Sequence, residues 1–176
     1  MEEKMELTEL KAEKVMTIRA NCPDDMRIPV GKNDFGLLRA IYITGGEFHG
    51  ARINGTVFPM GGADWNTGFG GDAPEHFTSV EVYARYLLQT DDGVFIEIQK
   101  SGKRDKRGGQ PYIVTTPRFF APAGRYEWLN YGAYVGALSG SVKDGVGGVD
   151  IVIYRMLSFA WIRCLPTEAY AKCTSN

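Results

Sequence analysis

The sequence predicts an all-β fold of antiparallel strands, closed as a barrel or packed as a sandwich, and three observations carry that prediction. Glycine is in surplus, with 22 among 176 residues, against a usual share of ~7% and with no collagen-like period. Short apolar runs divided by glycine-containing turns recur at 35–44, 50–58, 79–90, 94–101, 111–120, 126–138 and 148–157. Strand signals at that spacing belong to barrels and sandwiches. The third observation is a hairpin whose register can be derived residue by residue.

In Ser79–Thr90, alternation places Val80, Val82, Ala84, Tyr86 and Leu88 on one face and Glu81, Tyr83, Arg85, Leu87 and Gln89 on the other. In Val94–Lys100, Val94, Ile96 and Ile98 separate from Phe95, Glu97 and Gln99. Matching the apolar faces sets Leu88 opposite Ile96 and Tyr86 opposite Ile98, because a one-residue slip inverts a strand. The loop is then Asp91-Asp92-Gly93, with glycine at the left-handed position of a three-residue hairpin. On the mixed face Arg85 and Glu97 become diagonal neighbours, with Tyr83 in the same row. That face is either a solvated exterior with a surface ion pair, or the wall of a ligand cavity inside a barrel.

The remaining elements follow in order. Residues 1–34 are the least periodic and are expected as an N-terminal extension packing on or beginning the barrel. Glu2–Met16 is either a short amphipathic helix or the approach to a strand near Val15. Residues 35–157 are the β-domain, and 158–176, with Pro166, form an irregular or helical tail. The length fits one domain.

Composition excludes several function classes. Twenty basic and twenty-one acidic residues give a net charge of −1, which disfavours a general nucleic-acid binder. Two histidines and three cysteines leave little for a zinc site, and none is expected. The apolar stretch Val149–Leu165 is broken by Asp150, Arg155 and Arg163, so no membrane span is expected. With no apolar leader and an odd cysteine count, the expectation is a cytoplasmic protein with reduced thiols. Nucleotide, nucleophile-elbow and metalloprotease motifs are absent, so no cofactor is expected. Lys100–Gly109 is a basic stretch expected at a hairpin tip.

Two segments stand out chemically. In Phe58–Asn66, paired glycines precede Asp64, Trp65 and Asn66. Asp64 there is either a turn cap or a general base beside a tryptophan that stacks on a planar substrate. In Arg125–Tyr131 a strand would set Tyr126, Trp128 and Asn130 on one face, as a ligand wall or as core. Arg118, beside Pro117, can turn toward a cavity mouth and meet a carboxylate or phenolate.

Three ordered motifs, Gly61-Gly-Ala-Asp-Trp65, Tyr83-Ala-Arg-Tyr86 with Thr90-Asp-Asp-Gly93, and Tyr126-Glu-Trp-Leu-Asn130 with Val135-Gly136, resemble a bacterial and fungal family of small barrels, domain of unknown function 3237. The resemblance implies a single antiparallel barrel of lipocalin-like or calycin-like kind, often a homo-oligomer, and little about activity. It departs where the family often carries an aromatic, an arginine and a glutamate; here Ile113, Val114 and Phe120 stand, so the cavity is expected to be more apolar on that side.

The leading expectation is a cofactor-independent lyase or isomerase acting on a small aromatic metabolite. Asp64 or Glu97 would abstract a proton, Arg85 or Arg118 would stabilise the oxyanion, and Tyr83 and Asn130 would orient the ring between Trp65 and Trp128. The alternatives are a non-catalytic binding protein of calycin-like type and an oligomeric interaction module.

Overall fold

The structure, a computed structural model, describes residues 10–107 and 112–157. Among the described residues there are eleven strands in one antiparallel sheet: β1 (Ala12–Asn21), β2 (Arg27–Asn33), β3 (Gly36–Tyr42), β4 (Gly45–His49), β5 (Asn54–Val57), β6 (Ala63–Phe69), β7 (Ser79–Thr90), β8 (Phe95–Asp105), β9 (Tyr112–Phe120), β10 (Tyr134–Lys143) and β11 (Val146–Met156). The pairings show how they close. β4 pairs with β1 and β3 with β2, while β5 pairs with β4 and β6 with β3. So β1–β2, β3–β4 and β5–β6 are three long staves, each broken midway. With β7 to β11 they make an eight-strand up-and-down barrel, closed by β1 against β11.

Closure is uneven. β1 is paired on both edges, but β2 has β3 as its one sheet neighbour, and the last link on that side is the Cys22 N–H to the Gly147 carbonyl at 2.8 Å. The barrel therefore has a closed end and an open end. The β2 edge carries Pro29 and a register shift beside Gly31, features that discourage pairing with a stray strand.

The closed end is dry. Met16, Ile18, Phe48, Leu88, Ile96, Ile98 and Ile153 are fully buried there and belong to one core cluster. The derived hairpin matches the observed one, with Leu88 opposite Ile96 and Tyr86 opposite Ile98. Gly93 has φ of +85° and donates its N–H to the Thr90 carbonyl at 2.8 Å.

Within the segment 1–34, expected to pack on or begin the barrel, β1 starts at Ala12, and Val15, Met16, Ile18 and Ala20 supply a buried strand face. Two expectations change. Residues 126–130 are not a strand: Glu127–Tyr131 form a 3-10 turn. Buried Tyr126 and Leu129 are spaced by three, the 3-10 period, and plug the closed end. Finally, Lys100 is no loop residue, since β8 runs on to Asp105. The expected tail, 158–176, lies outside the described residues.

Candidate active site

Strand parity decides which side chains enter the open end. Asp64 on β6 lies opposite Ala84, and Ala84 lies opposite Lys100, so all three share the inward face of Tyr86, Leu88, Ile96 and Ile98. Asn66 follows two residues after Asp64, with Arg39 of β3 directly opposite it. Arg104, four residues beyond Lys100, lies opposite Val80 on the same face. The two ends of one barrel interior thus differ completely in chemistry.

Lys100 is 4% exposed, and the small neighbours Ala84 and Pro117 leave room for its stem. Its ammonium lies 4.9 Å from the centre of the Tyr86 ring, a cation–π contact. Burial pulls its pKa from 10.5 down to about 8, with Asp64 and Cys22 acting the other way. Asp64 is half-buried as a residue, but its Oδ1 is shut off from solvent and has no hydrogen-bond partner among the described residues. Burial raises its pKa above 3.8, and Lys100, the Asn66 amide, Arg39 and the Tyr83 backbone act against that rise. The Asn66 amide sits close enough to favour the carboxylate, although its Nδ2 makes no bond of good geometry. The Tyr86 hydroxyl is likewise buried without a partner, and burial pushes it upward. The free thiol of Cys22 is raised to about 11 by burial first and Asp64 second, which makes it unreactive.

Five buried polar atoms on this inward face have no hydrogen-bond partner among the described residues: Asp64 Oδ1, Asn66 Nδ2, Tyr86 Oη, Arg39 Nε and Arg104 Nε. A folded interior ordinarily satisfies such groups, because each one left unpaired costs about 1–3 kcal/mol. Half-buried Ile41, Val82, Leu138 and Val149 complete the inward faces around them. Phe77 leans in from the β6–β7 connection against Gly68, where a Cβ would lie 2.0 Å from its ring, and covers the Arg39 guanidinium at 5.5 Å.

Of the residues named from the sequence, Asp64 enters this chamber and the others lie elsewhere. Tyr83, Arg85 and Glu97 occupy the outer face, because the fully apolar face of β7 takes the interior. Arg85 donates to both Glu97 oxygens, Nε at 3.0 Å and Nη2 at 2.9 Å, in a solvated pair. Trp65 is 44% and Tyr83 43% exposed, side by side on that surface. Arg118 is outside as well, stacked on Phe120 at 4.7 Å. Tyr126 donates its hydroxyl to Asp92 at 2.8 Å. Trp128 sits at the closed end beneath Arg52 at 4.3 Å. Asn130 accepts from the Ala121 N–H at 2.8 Å and donates to its carbonyl at 2.9 Å, tying the turn to β9.

Lys100, Asn66, Arg39 and Arg104 were missed, although parity carried a signal for two of them: Lys100 follows Ile96 and Ile98 at spacing two, and Asn66 shares the parity of Asp64. Among the described residues, no group of three or more His, Cys, Asp or Glu side chains could hold a metal ion, and no helix is long and apolar enough to cross a membrane.

Fold and inward polar cluster define a small up-and-down β-barrel with titratable side chains gathered in one end of its interior. The chain belongs to the family described as protein of unknown function DUF3237, whose sequence profile matches residues 10–157. A UPF0311 protein of Rhodopseudomonas palustris is 31% identical over 142 residues, 73% of this chain and 87% of that protein. The crystal structure of a conserved protein of unknown function from R. palustris superposes with a TM-score of 0.69 at 30% identity, covering 86% of this chain and all of that one. A β-barrel-like protein from Acinetobacter baumannii gives 0.70 at 25% identity over 88% of this chain and 100% of its own. A protein from Penicillium herquei, described as an enzyme, shares the fold at 18% identity and a TM-score of 0.60, with 88% and 99% of the chains covered.

Proposed function

We propose that this protein is a cofactor-independent enzyme of the lyase or isomerase type, acting on a small aromatic metabolite bound in the open end of the barrel. The observation that carries the reading is the Asp64–Lys100 couple: opposite charges, both withdrawn from solvent, facing one chamber, with Asp64 Oδ1 unengaged by the protein. Asp64 takes a proton from a C–H adjacent to a carbonyl, and the electron pair moves onto the carbonyl oxygen. Lys100 donates to that oxygen as it becomes negative. Returning the proton from Asp64 to a different carbon completes an isomerisation. Alternatively the carbonyl re-forms and the enolate pair makes a new double bond to the adjacent carbon; the group expelled from that carbon leaves with its bonding pair and takes the proton from Asp64, which is a lyase reaction. A base raised by burial and an acid near pH 8 match each other at neutral pH. The rings beside these groups are Tyr86 and Phe77, under Lys100 and Arg39, in place of the expected Trp65 and Trp128. The Penicillium herquei protein, described as an enzyme, supports catalysis as one use of this barrel.

The test is deuterium exchange. A panel of small aromatic carbonyl compounds is incubated with the protein in D2O and read by NMR. A member of the panel is expected to gain deuterium at a C–H, with exchange falling by at least about 100-fold in Asp64→Asn and persisting in Glu97→Gln. Full exchange in Asp64→Asn would overturn the mechanism. A ligand that binds but is recovered unlabelled and unchanged would make the protein a non-catalytic binder.

A further inference from the structure

Resting on that reading of the chamber, we infer that the substrate carries a carboxylate, held by Arg39 and Arg104 at the open end while Asp64 works on the carbon framework attached to it.

The placement of the cations supports this. Arg39 and Arg104 project from β3 and β8 onto the face that also holds Asp64 and Lys100. Each keeps a buried Nε with no hydrogen-bond partner among the described residues. The charges that act on Arg39 are two further arginines, Arg27 and Arg104, and one carboxylate, Asp64. Arg27 is occupied by Asp24 at 3.0 Å, which among the described residues leaves Arg39, Arg104 and Lys100 against Asp64. A neutral occupant would leave that excess uncompensated beside a buried Lys100 and two half-buried guanidinium groups whose Nε atoms are shut off from solvent, which is costly. A carboxylate answers it, since its two oxygens match the guanidinium edge in a paired, charge-assisted hydrogen bond. Phe77 lies 5.5 Å from the Arg39 guanidinium carbon, a contact that uses none of the guanidinium's N–H donors. Burial and the neighbouring arginines lower the Arg39 pKa, and a bound anion relieves both.

The probe is benzoate, with benzamide as its neutral counterpart, titrated calorimetrically into the full chain. Benzoate is expected to bind and benzamide to fail at the same concentrations. Arg39→Gln or Arg104→Gln is expected to weaken benzoate roughly ten- to hundredfold, whereas Lys103→Gln on the outer face leaves it unchanged. Asp64→Asn is expected to keep or tighten benzoate binding, because a like charge is removed, even as deuterium exchange is lost. Equal binding of benzoate and benzamide, or full affinity in both arginine variants, overturns the inference. If the arginine variants do not fold, loss of benzoate binding in Asp64→Asn overturns it instead. Benzoate binding without exchange in the parent protein breaks the enzymatic reading alone; exchange without charge selectivity breaks this inference alone.

Discussion

Asp64 and Glu97 stand on neighbouring regions of one sheet, and each faces a cation, yet the two couples are opposites. Outside, Arg85 grips Glu97 with two good hydrogen bonds in solvent, and Gln99 adds a third at 2.6 Å. That geometry holds the Glu97 pKa below 4.5, through Arg85 first and Gln99 second. Such exposed pairs are screened and contribute little to stability. Inside, Asp64 and Lys100 are withdrawn from water and incompletely bonded, so each is pushed toward neutrality. Good geometry therefore marks the couple with the smaller consequence. The couple with unmet bonds is the one whose cost to folding calls for a functional explanation.

The same contrast separates the dry closed end from the polar open end, and variants can break it. The largest effect is expected in the dry end: Phe48→Ala removes a fully buried ring and should lower unfolding free energy by about 3–5 kcal/mol in urea denaturation. At the polar end, replacing both members of the buried couple, as Asp64→Leu with Lys100→Met, should stabilise the protein by about 1–4 kcal/mol while abolishing function. A loss comparable to Phe48→Ala would mean that the couple is structural.

Acid–base linkage sharpens the comparison further. Below about pH 8 the burial of charged Lys100 costs in full. Between about 8 and 10.5 the unfolded chain binds more protons at this residue than the folded one, so its contribution to stability rises with pH. Cys22 and Tyr86, whose acids are raised by burial, act in the opposite sense and cancel when the parent is compared with Lys100→Met. That difference should change by roughly 3 kcal/mol across the window; a flat difference would place the ammonium in solvent. The smallest effect belongs outside. Arg85→Ala should leave the denaturation midpoint nearly unchanged at physiological salt, and a large loss would show that the outer pair organises the sheet.

How much of this was legible in the sequence follows from parity. Alternation in 79–90 and 94–100 settles the hairpin register because one strand face is uniformly apolar, and the three-residue loop with Gly93 agrees with it. The same alternation assigns Arg85 and Glu97 to the outside once that apolar face is taken as the core, and it carries Lys100 inward. Residues 126–130 escape this logic, since an aromatic run has no polar alternation to distinguish a period of two from three. Arg39 and Arg104 escape it too. Nothing local separates a half-buried, inward arginine from a solvated one, and their convergence depends on β3 and β8 meeting at the same end of the barrel. Trp65 misleads for a related reason: an exposed tryptophan beside an inward aspartate reverses the usual burial preference.

The comparison between the two carboxylates is tested most directly by one titration, in which the 13C carboxyl resonances of Asp64 and Glu97 are followed across the acid range in the same sample. Asp64 is expected to titrate above its ordinary 3.8 and Glu97 below its ordinary 4.5. An Asp64 midpoint at or below 3.8 would contradict this, because the carboxylate would then be satisfied by solvent or by a structural partner and not withdrawn in a chamber awaiting a substrate.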